Sequence, residues 1–554
     1  MSLQFSSVMT TVVIATIFLI VETEAIEWIV ASNESLAKAI RNISFGDTVI
    51  VNDGLYLSCN QVIRASNVTI QAMSKMKVKI DCNQSTSHLI IYGENVRIKG
   101  IAFMNGFSVQ SGGCVKVFGK GVMFQDCRFE RCRSSFLGGG IFLSSTAGNV
   151  TIYNSEVIGC KAVFGGGVFT DIFVHLHIYG RIVFKENTAS QSGGGMYLAS
   201  SSRTTFDVEA CDFHGNSANV DGGGIYLITA SISISGEVTF SKNSASSAGA
   251  LVLWASVATF ESGSKISFKE NSGGRFGGAV ILASGSVLHS RSSVNFEGNY
   301  AGITGGAILI QGSNLITYAM SAMIFDRNKC SSGGALAGLG GSGNSSLDLD
   351  GSFQFRNNSS IDGGGLYAHK CNVILRGQLL FEGNRASRYG GGVSVWFSTL
   401  TTGPQSALQC VGNRANVGGG MLLVASTIKA QGSVVLSNNS AIDFGGGLMV
   451  DSSSWISEGQ VSFTGNTAKA GAGLSIGYSL FVVLPLSIVE FTDNRAAQGG
   501  AVDAAVSQLA IYARRSSFSG NAAETFGGAM CLVNSTLEVG GNCTVLNNFA
   551  GWGG

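Results

Sequence analysis

The stretch Phe184-Lys-Glu-Asn187-Thr-Ala189-Ser-Gln-Ser-Gly193-Gly-Gly195-Met-Tyr-Leu198 recurs through most of this chain. With its Asn as marker, equivalent positions are Cys132, Cys160, Asn187, Asn216, Asn243, Asn271, Asn299, Asn328, Asn358, Asn384, Asn413, Asn439, Asn466, Asn494, Asn521 and Asn548. These 16 copies span 548 − 132 = 416 residues in 15 steps, a period of about 28. Phe stands three residues before the marker in 12 of them, among these Phe184, Phe213, Phe240, Phe268, Phe296, Phe325, Phe381, Phe463, Phe491 and Phe518. Val157, Cys410, Leu436 and Val545 fill the place in the other four. A period of this size means a solenoid, a propeller or an array.

The segments between the glycines and the next Phe are strand-like. Gly224-Ile-Tyr-Leu-Ile228 is followed by Ser231-Ile-Ser-Ile-Ser235, which alternates with period 2, and by Gly236-Glu-Val-Thr-Phe240. Such alternation marks a strand with one buried face. Three short strands in about 28 residues fit one turn of a parallel β-helix, whereas a four-stranded propeller blade needs roughly 40. Coils about 4.8 Å apart put equivalent residues in columns. The Phe column is expected inside, and the Asn column at a turn, its amides satisfying backbone groups that burial would orphan. Glycines supply left-handed backbone and close approach, and Ala two residues after the marker fits the same corner. These are structural ladder positions with no catalytic role.

The pattern F-x-x-N followed by G-G-[AGV]-[ILVM] resembles the repeat of chlamydial polymorphic outer-membrane proteins. That resemblance covers roughly residues 124–554 and implies a right-handed parallel β-helix displayed at the bacterial surface, with an adhesin-like role. The opening of the chain is similar to that of pectin-lyase-like β-helix proteins. There Asn33-Glu-Ser-Leu-Ala-Lys-Ala-Ile-Arg-Asn42 reads as a short amphipathic helix, N-capped by Asn33 and plugging the first coil. Residues 26–125 are thus expected to hold the cap and first coils, and residues 126–554 the repeats. The chain stops partway through a copy at Phe549-Ala-Gly-Trp-Gly-Gly554, which reads as the truncated front of a longer β-helix.

Composition agrees. Gly is 77 of 554 and Pro only 2, yet 45% of residues are hydrophobic, so this is an ordered glycine-rich fold. Charged residues are 12% and net charge is +1, with no basic stripe or acidic tail, which argues against a nucleic-acid partner. Residues 1–25 read as a secretory signal, apolar from Val8 to Val21 and followed by Thr23-Glu-Ala25, although no Lys or Arg precedes the apolar run. Leu480–Leu486 is apolar but contains Pro485, so no membrane span is expected in the repeats.

Of 12 cysteines, Cys132 and Cys160 hold the marker in successive copies, so stacking brings them within disulfide range. Cys59 with Cys82, and Cys531 with Cys543, are further pairs to consider. Asn-x-Ser/Thr sequons stand at Asn33, 42, 67, 83, 149, 344, 357, 358, 438, 534 and 542.

Residues that commonly carry chemistry are sparse. His175-Leu-His177 puts two rings on one side of a strand, but no third ligand stands nearby. Asp221, Asp362 and Asp443 precede glycine runs, as turn-forming Asp does. Arg97-Ile-Lys99 matches a short piece of the polygalacturonase pattern without its paired acids. A β-helix lyase or glycosidase needs converging carboxylates, and the irregular stretches Gly338–Gly343 and Thr399–Pro404 contain none. The expectation is a non-enzymatic secreted or surface protein with no cofactor, binding a surface protein or glycan on its flat faces. A polysaccharide-acting enzyme is the alternative.

Overall fold

The computed structural model describes residues 25–341 and 343–552. The secretory segment expected over residues 1–25 lies outside them except for Ala25. The chain winds into a parallel β-solenoid of about 18 turns with about 28 residues per turn. At about 4.8 Å per turn the rod is roughly 85 Å long.

Each regular turn carries four strands rather than the three expected. One turn runs Lys265–Lys269, Ser272–Phe276, Val280–Ala283 and Val287–Ser290. The first of these belongs to a Phe sheet, the second to a corner sheet, the third to a glycine sheet and the fourth to a middle sheet. The unforeseen element is the corner strand after the marker. It consists of small polar residues whose hydrophobic pattern is silent, and it exists because its backbone pairs coil to coil, as Ser244 does with Ser272 and Gly273 with Ala301.

Every strand pairing is parallel and nearly always in register: Phe268 pairs with Phe296, and Phe296 with Phe325. The glycine sheet stacks 18 strands from Gln61–Ile63 to Met530–Val533, passing residue 125 without a break. The corner sheet comes in two runs of eight strands. They are bridged by single pairings through Lys329 and Ser332, where the coil is too irregular for a strand. In three turns the middle and Phe strands fuse into one long strand, as in His175–Lys185.

Turn geometry accounts for the repeat. The residue before each marker is left-handed, whether it is Glu186 (φ +54°), Lys242 (+54°) or Gly298 (+63°). In the glycine run, Gly193 has φ +73°, and a Cβ on Gly194 would lie 2.3 Å from the Gly223 carbonyl oxygen. The first glycine is therefore needed for conformation and the second for clearance.

The helix Asn33–Asn42 buries Leu36, Ala39 and Ile40 over the first coil. Its cap is Ser32, not Asn33. Ser32 is extended (φ −145°), so its Oγ accepts the Ser35 N–H, and Ser35 Oγ in turn accepts from the Ser32 N–H. Asn33 already stands inside the helix and accepts instead from the Leu57 N–H at 2.6 Å. Among the described residues no helix is long and apolar enough to cross a membrane. Leu480–Val483 is an ordinary middle strand ending at the Pro485 turn.

Candidate functional site

The marker asparagines form one column from Asn187 to Asn548, buried as far as Asn521. In each step the Nδ2 of one Asn donates to the Oδ1 of the next, at 2.9 Å from Asn187 to Asn216 and 3.0 Å from Asn299 to Asn328. The same Nδ2 donates to a carbonyl of the preceding coil, as Asn299 does to Phe268 O at 2.9 Å. Each Oδ1 also accepts the backbone N–H of the previous Asn. Asn216, Asn243, Asn271, Asn328, Asn384, Asn466, Asn494 and Asn521 repeat this arrangement. The side chain thus serves backbone groups at a turn that water does not reach.

Beside it the phenylalanines stack face to face. Centroids lie 4.6 Å apart for Phe184–Phe213, 4.8 Å for Phe213–Phe240, 4.9 Å for Phe240–Phe268 and 4.8 Å for Phe268–Phe296 and Phe296–Phe325. The column continues through Phe355 to Phe381, is interrupted at Cys410 and Leu436, and resumes with Phe463, Phe491 and Phe518.

A second ladder escaped the sequence reading. Where the chain enters the middle sheet, Ser256, Ser286 and Ser313, and later Ser398, Ser426, Ser453, Ser479, Ser507 and Ser535, each accept on Oγ the N–H of the preceding coil's equivalent. Its signal was a Ser recurring two or three residues after each glycine-sheet strand, hidden among many other serines.

The expected Cys132–Cys160 disulfide is not formed. Cys132 bonds to Cys114, with Cα atoms 5.4 Å apart, and Cys160 is a buried free thiol. Stacked in-register residues point side by side, whereas the last glycine of one coil points at the marker of the next. A Cβ on Gly140 would lie 3.3 Å from Cys160 Sγ, and one on Gly167 3.3 Å from Asn187 Cγ. Cys114 occupies that glycine position, so its sulfur meets Cys132 across the coil. Cys59 and Cys82 form the second disulfide. Cys531 and Cys543 are free, and burial pushes the Cys127, Cys160 and Cys410 thiols up to about 12.

By the same geometry His88 points at Gly106, whose missing side chain makes room for the ring. His88 is fully buried, and desolvation pushes it down to about 4 against the carbonyls of Ile80 and Met104. His88 and the disulfide Cys114–Cys132 form, among the described residues, the one group of three His, Cys or carboxylate side chains close enough for a metal. His175 and His177, on the outer face of the middle sheet, are not part of it.

The outer surface has shallow grooves. One of about 790 Å³ is lined by Asp350, Asn372, Arg376, Thr401, Gln405 and Gln431, and its Arg376 pairs with Asp348 at 3.0 Å. Asp350 is the single carboxylate of that lining, short of the pair a glycosidase uses. Arg97 and Lys99 are exposed on a middle strand, and the nearby Lys75 pairs with Asp126 at 2.7 Å. Asp362 is bound by Arg388 through two hydrogen bonds of 2.6 and 3.0 Å, and desolvation raises the half-buried Asp221 carboxyl.

A different groove follows the corner sheet from Ser359 to Phe549, in two stretches of about 400 and 660 Å³ that meet at Ile442. Its floor is the alanine column Ala386, Ala415, Ala441, Ala468, Ala496 and Ala523. On its rim Arg385 pairs in register with Arg414, Arg495 stands three coils further on, and all three are exposed. Among the described residues none of the three enters an ion pair, unlike Arg388 beside them.

Residues 29–231 match the family described as "Right handed beta helix region". No curated protein matches the chain. Among solved structures, a PL6 alginate lyase in complex with trisaccharide aligns at 12% identity and TM-score 0.30, over 68% of this chain and 85% of the other. The PL6 family alginate lyase AlyGC aligns at 9% identity and TM-score 0.31, over 94% of this chain and all of the other. Similarity at that level carries no argument about activity. Together with the parallel pairing of coil on coil, the family match makes the molecule a right-handed parallel β-helix.

Proposed function

We propose that this chain is a non-catalytic binding protein, secreted or displayed at a cell surface, whose corner groove holds an extended anionic glycan. The observation that carries the reading is the Arg385–Arg414 pair, in register on adjacent coils and, among the described residues, without a carboxylate partner. Like charges directly opposite one another on parallel strands destabilise a sheet. A linear polyanion lying along the axis would offset that cost, and Arg binds carboxylate or sulfate bidentately. The alanine floor admits a chain running across several coils, and beyond Ile442 the lining adds Arg495 and Lys469 together with one carboxylate, Glu524. The adhesin-like role implied by the repeat's resemblance to chlamydial surface proteins is consistent with such a surface.

The test is titration calorimetry with a linear polyuronate and with neutral dextran at two salt concentrations. Binding of the polyuronate alone, weakened by salt and reduced at least about tenfold in R385A/R414A, supports the reading. Equal binding by that variant, or none by the native chain, overturns it. Release of shortened polyuronate during incubation would instead establish the enzymatic alternative.

A further inference from the structure

His88, Cys114 and Cys132 belong to three successive coils, and their presented ligand atoms all lie within 4.8 Å of one another. All three residues are fully buried. The ring's protonation is fixed by its surroundings. His88 Nε2 lies 2.9 Å from Ile80 O and 3.0 Å from Met104 O, two groups that only accept, so Nε2 carries the hydrogen. Nδ1 therefore presents a lone pair, and it is a buried nitrogen with no hydrogen-bond partner. Buried polar atoms are almost always satisfied. A Cβ on Gly106 would lie 2.8 Å from this Nδ1, and the Gly106 N–H donates to Cys132 Sγ, so Nδ1 is the ring nitrogen on the sulfur side. A histidine whose far N–H is held by backbone carbonyls while its other nitrogen points at two cysteines has the orientation found in metal-ligating histidines. The Gly106 N–H, donating to Cys132 Sγ at 3.3 Å, is placed to stabilise a thiolate there.

We propose that reduction of the Cys114–Cys132 disulfide turns this buried triad into a site for a thiophilic divalent d10 cation of the zinc type, bound by His88 Nδ1 and the two Sγ atoms. A dithiol reductant supplies the two electrons. Its own S–S bond forms, the Cys114–Cys132 bond breaks, and its two protons pass to the cysteines as thiols. Metal binding then releases both protons, since thiolate is the ligand. Charge selects the divalent ion: two thiolates and a neutral imidazole cancel +2. A monovalent ion would leave net negative charge where water is excluded, which is costly. Three N and S ligands suit zinc. In the regular coils the corresponding contact joins a glycine to Asn, as at Gly167 and Asn187, so this chemistry is confined to the first coils.

The experiment uses the full chain, reduced with a dithiol, desalted without oxygen and titrated with Zn²⁺ against a chromophoric chelator. Oxidised and reduced samples are compared, and thiols are counted by alkylation. The expected result is one Zn²⁺ per reduced chain and none per oxidised chain. Affinity should fall by more than about 100-fold in H88Q and in C132S, since losing even an outer partner of a ligand costs 10–100-fold. It should be unchanged in C59S/C82S, which removes the other reducible pair. Equal binding by H88Q and the native chain, or none by the reduced native chain, overturns the proposal. Should the variants fail to fold, X-ray absorption on the native zinc-loaded chain decides alone: a shell of two sulfurs and at least one nitrogen supports the site, and any other sulfur count refutes it.

Discussion

Replacing Asn299 by Ala removes four hydrogen bonds from the middle of the ladder. Its Nδ2 donates to Phe268 O and Asn328 Oδ1, and its Oδ1 accepts from Asn271 N and Asn271 Nδ2. Asn328 Oδ1 keeps the Asn299 N–H, and Asn271 Nδ2 keeps Phe240 O, so both stay partly satisfied. The Asn271 N–H is fully orphaned, at about 1–3 kcal/mol, and Phe268 O, Asn271 Nδ2 and Asn328 Oδ1 each lose one bond, at about 0.5–1.5 kcal/mol apiece. The sum is about 2.5–7.5 kcal/mol, paid locally because each coil touches only its neighbours. Asn548→Ala orphans the Asn521 N–H and takes one bond each from Asn521 Nδ2 and Phe518 O, but at a less buried position and with one bond fewer, so it should cost less than Asn299→Ala. The assay is native-state hydrogen exchange at the Asn271 amide. Protection should fall at least about 30-fold in Asn299→Ala, the equivalent of about 2 kcal/mol, and stay unchanged in Asn548→Ala. Undiminished protection in Asn299→Ala would refute the account of the column as the acceptor for buried backbone.

Phe296→Ala removes a ring stacked at 4.8 Å on both sides and should cost about 3–5 kcal/mol in local unfolding, whereas Phe549→Ala, 68% exposed, should stay within about 0.5; equal urea sensitivity would count against the inner stack. Peptide mapping of Cys160→Ser should return both native disulfides, while Cys132→Ser frees the Cys114 thiol and loses the cross-link over an 18-residue separation, about 3 kcal/mol. His88 is held neutral, so its contribution is complete above the unfolded value near 6.5 and is lost as pH falls from there to about 4. The loss approaches about 3 kcal/mol. Exchange of the first coils should quicken over that window in the native chain and less in H88Q; the same pH profile in both would show that another group is responsible.

The repeat was legible because the two columns that hold the coils together are built from residues with distinct roles. Phe and Asn at fixed spacing announce an inward aromatic and a buried turn amide wherever they occur. The serine ladder used the same hydrogen bond but was invisible, because Ser also stands at exposed positions such as Ser293 and Ser352. The corner groove was equally hidden: Arg385, Arg414 and Arg495 look like scattered surface charge until the coils place them on one rim.

By itself, then, the sequence determined the period, the parallel stacking and which side chains turn inward, since a 28-residue repeat can bury its Phe and satisfy its Asn only by repeating the same turn. The tertiary structure decided what meets across a coil. The last glycine of one coil faces the marker of the next because two corners of the cross-section converge there. That offset depends on bend angles and on the extra corner strand, neither of which the period encodes. Hence Cys132 found Cys114 rather than the cysteine stacked above it, and His88 came to lie beside them both.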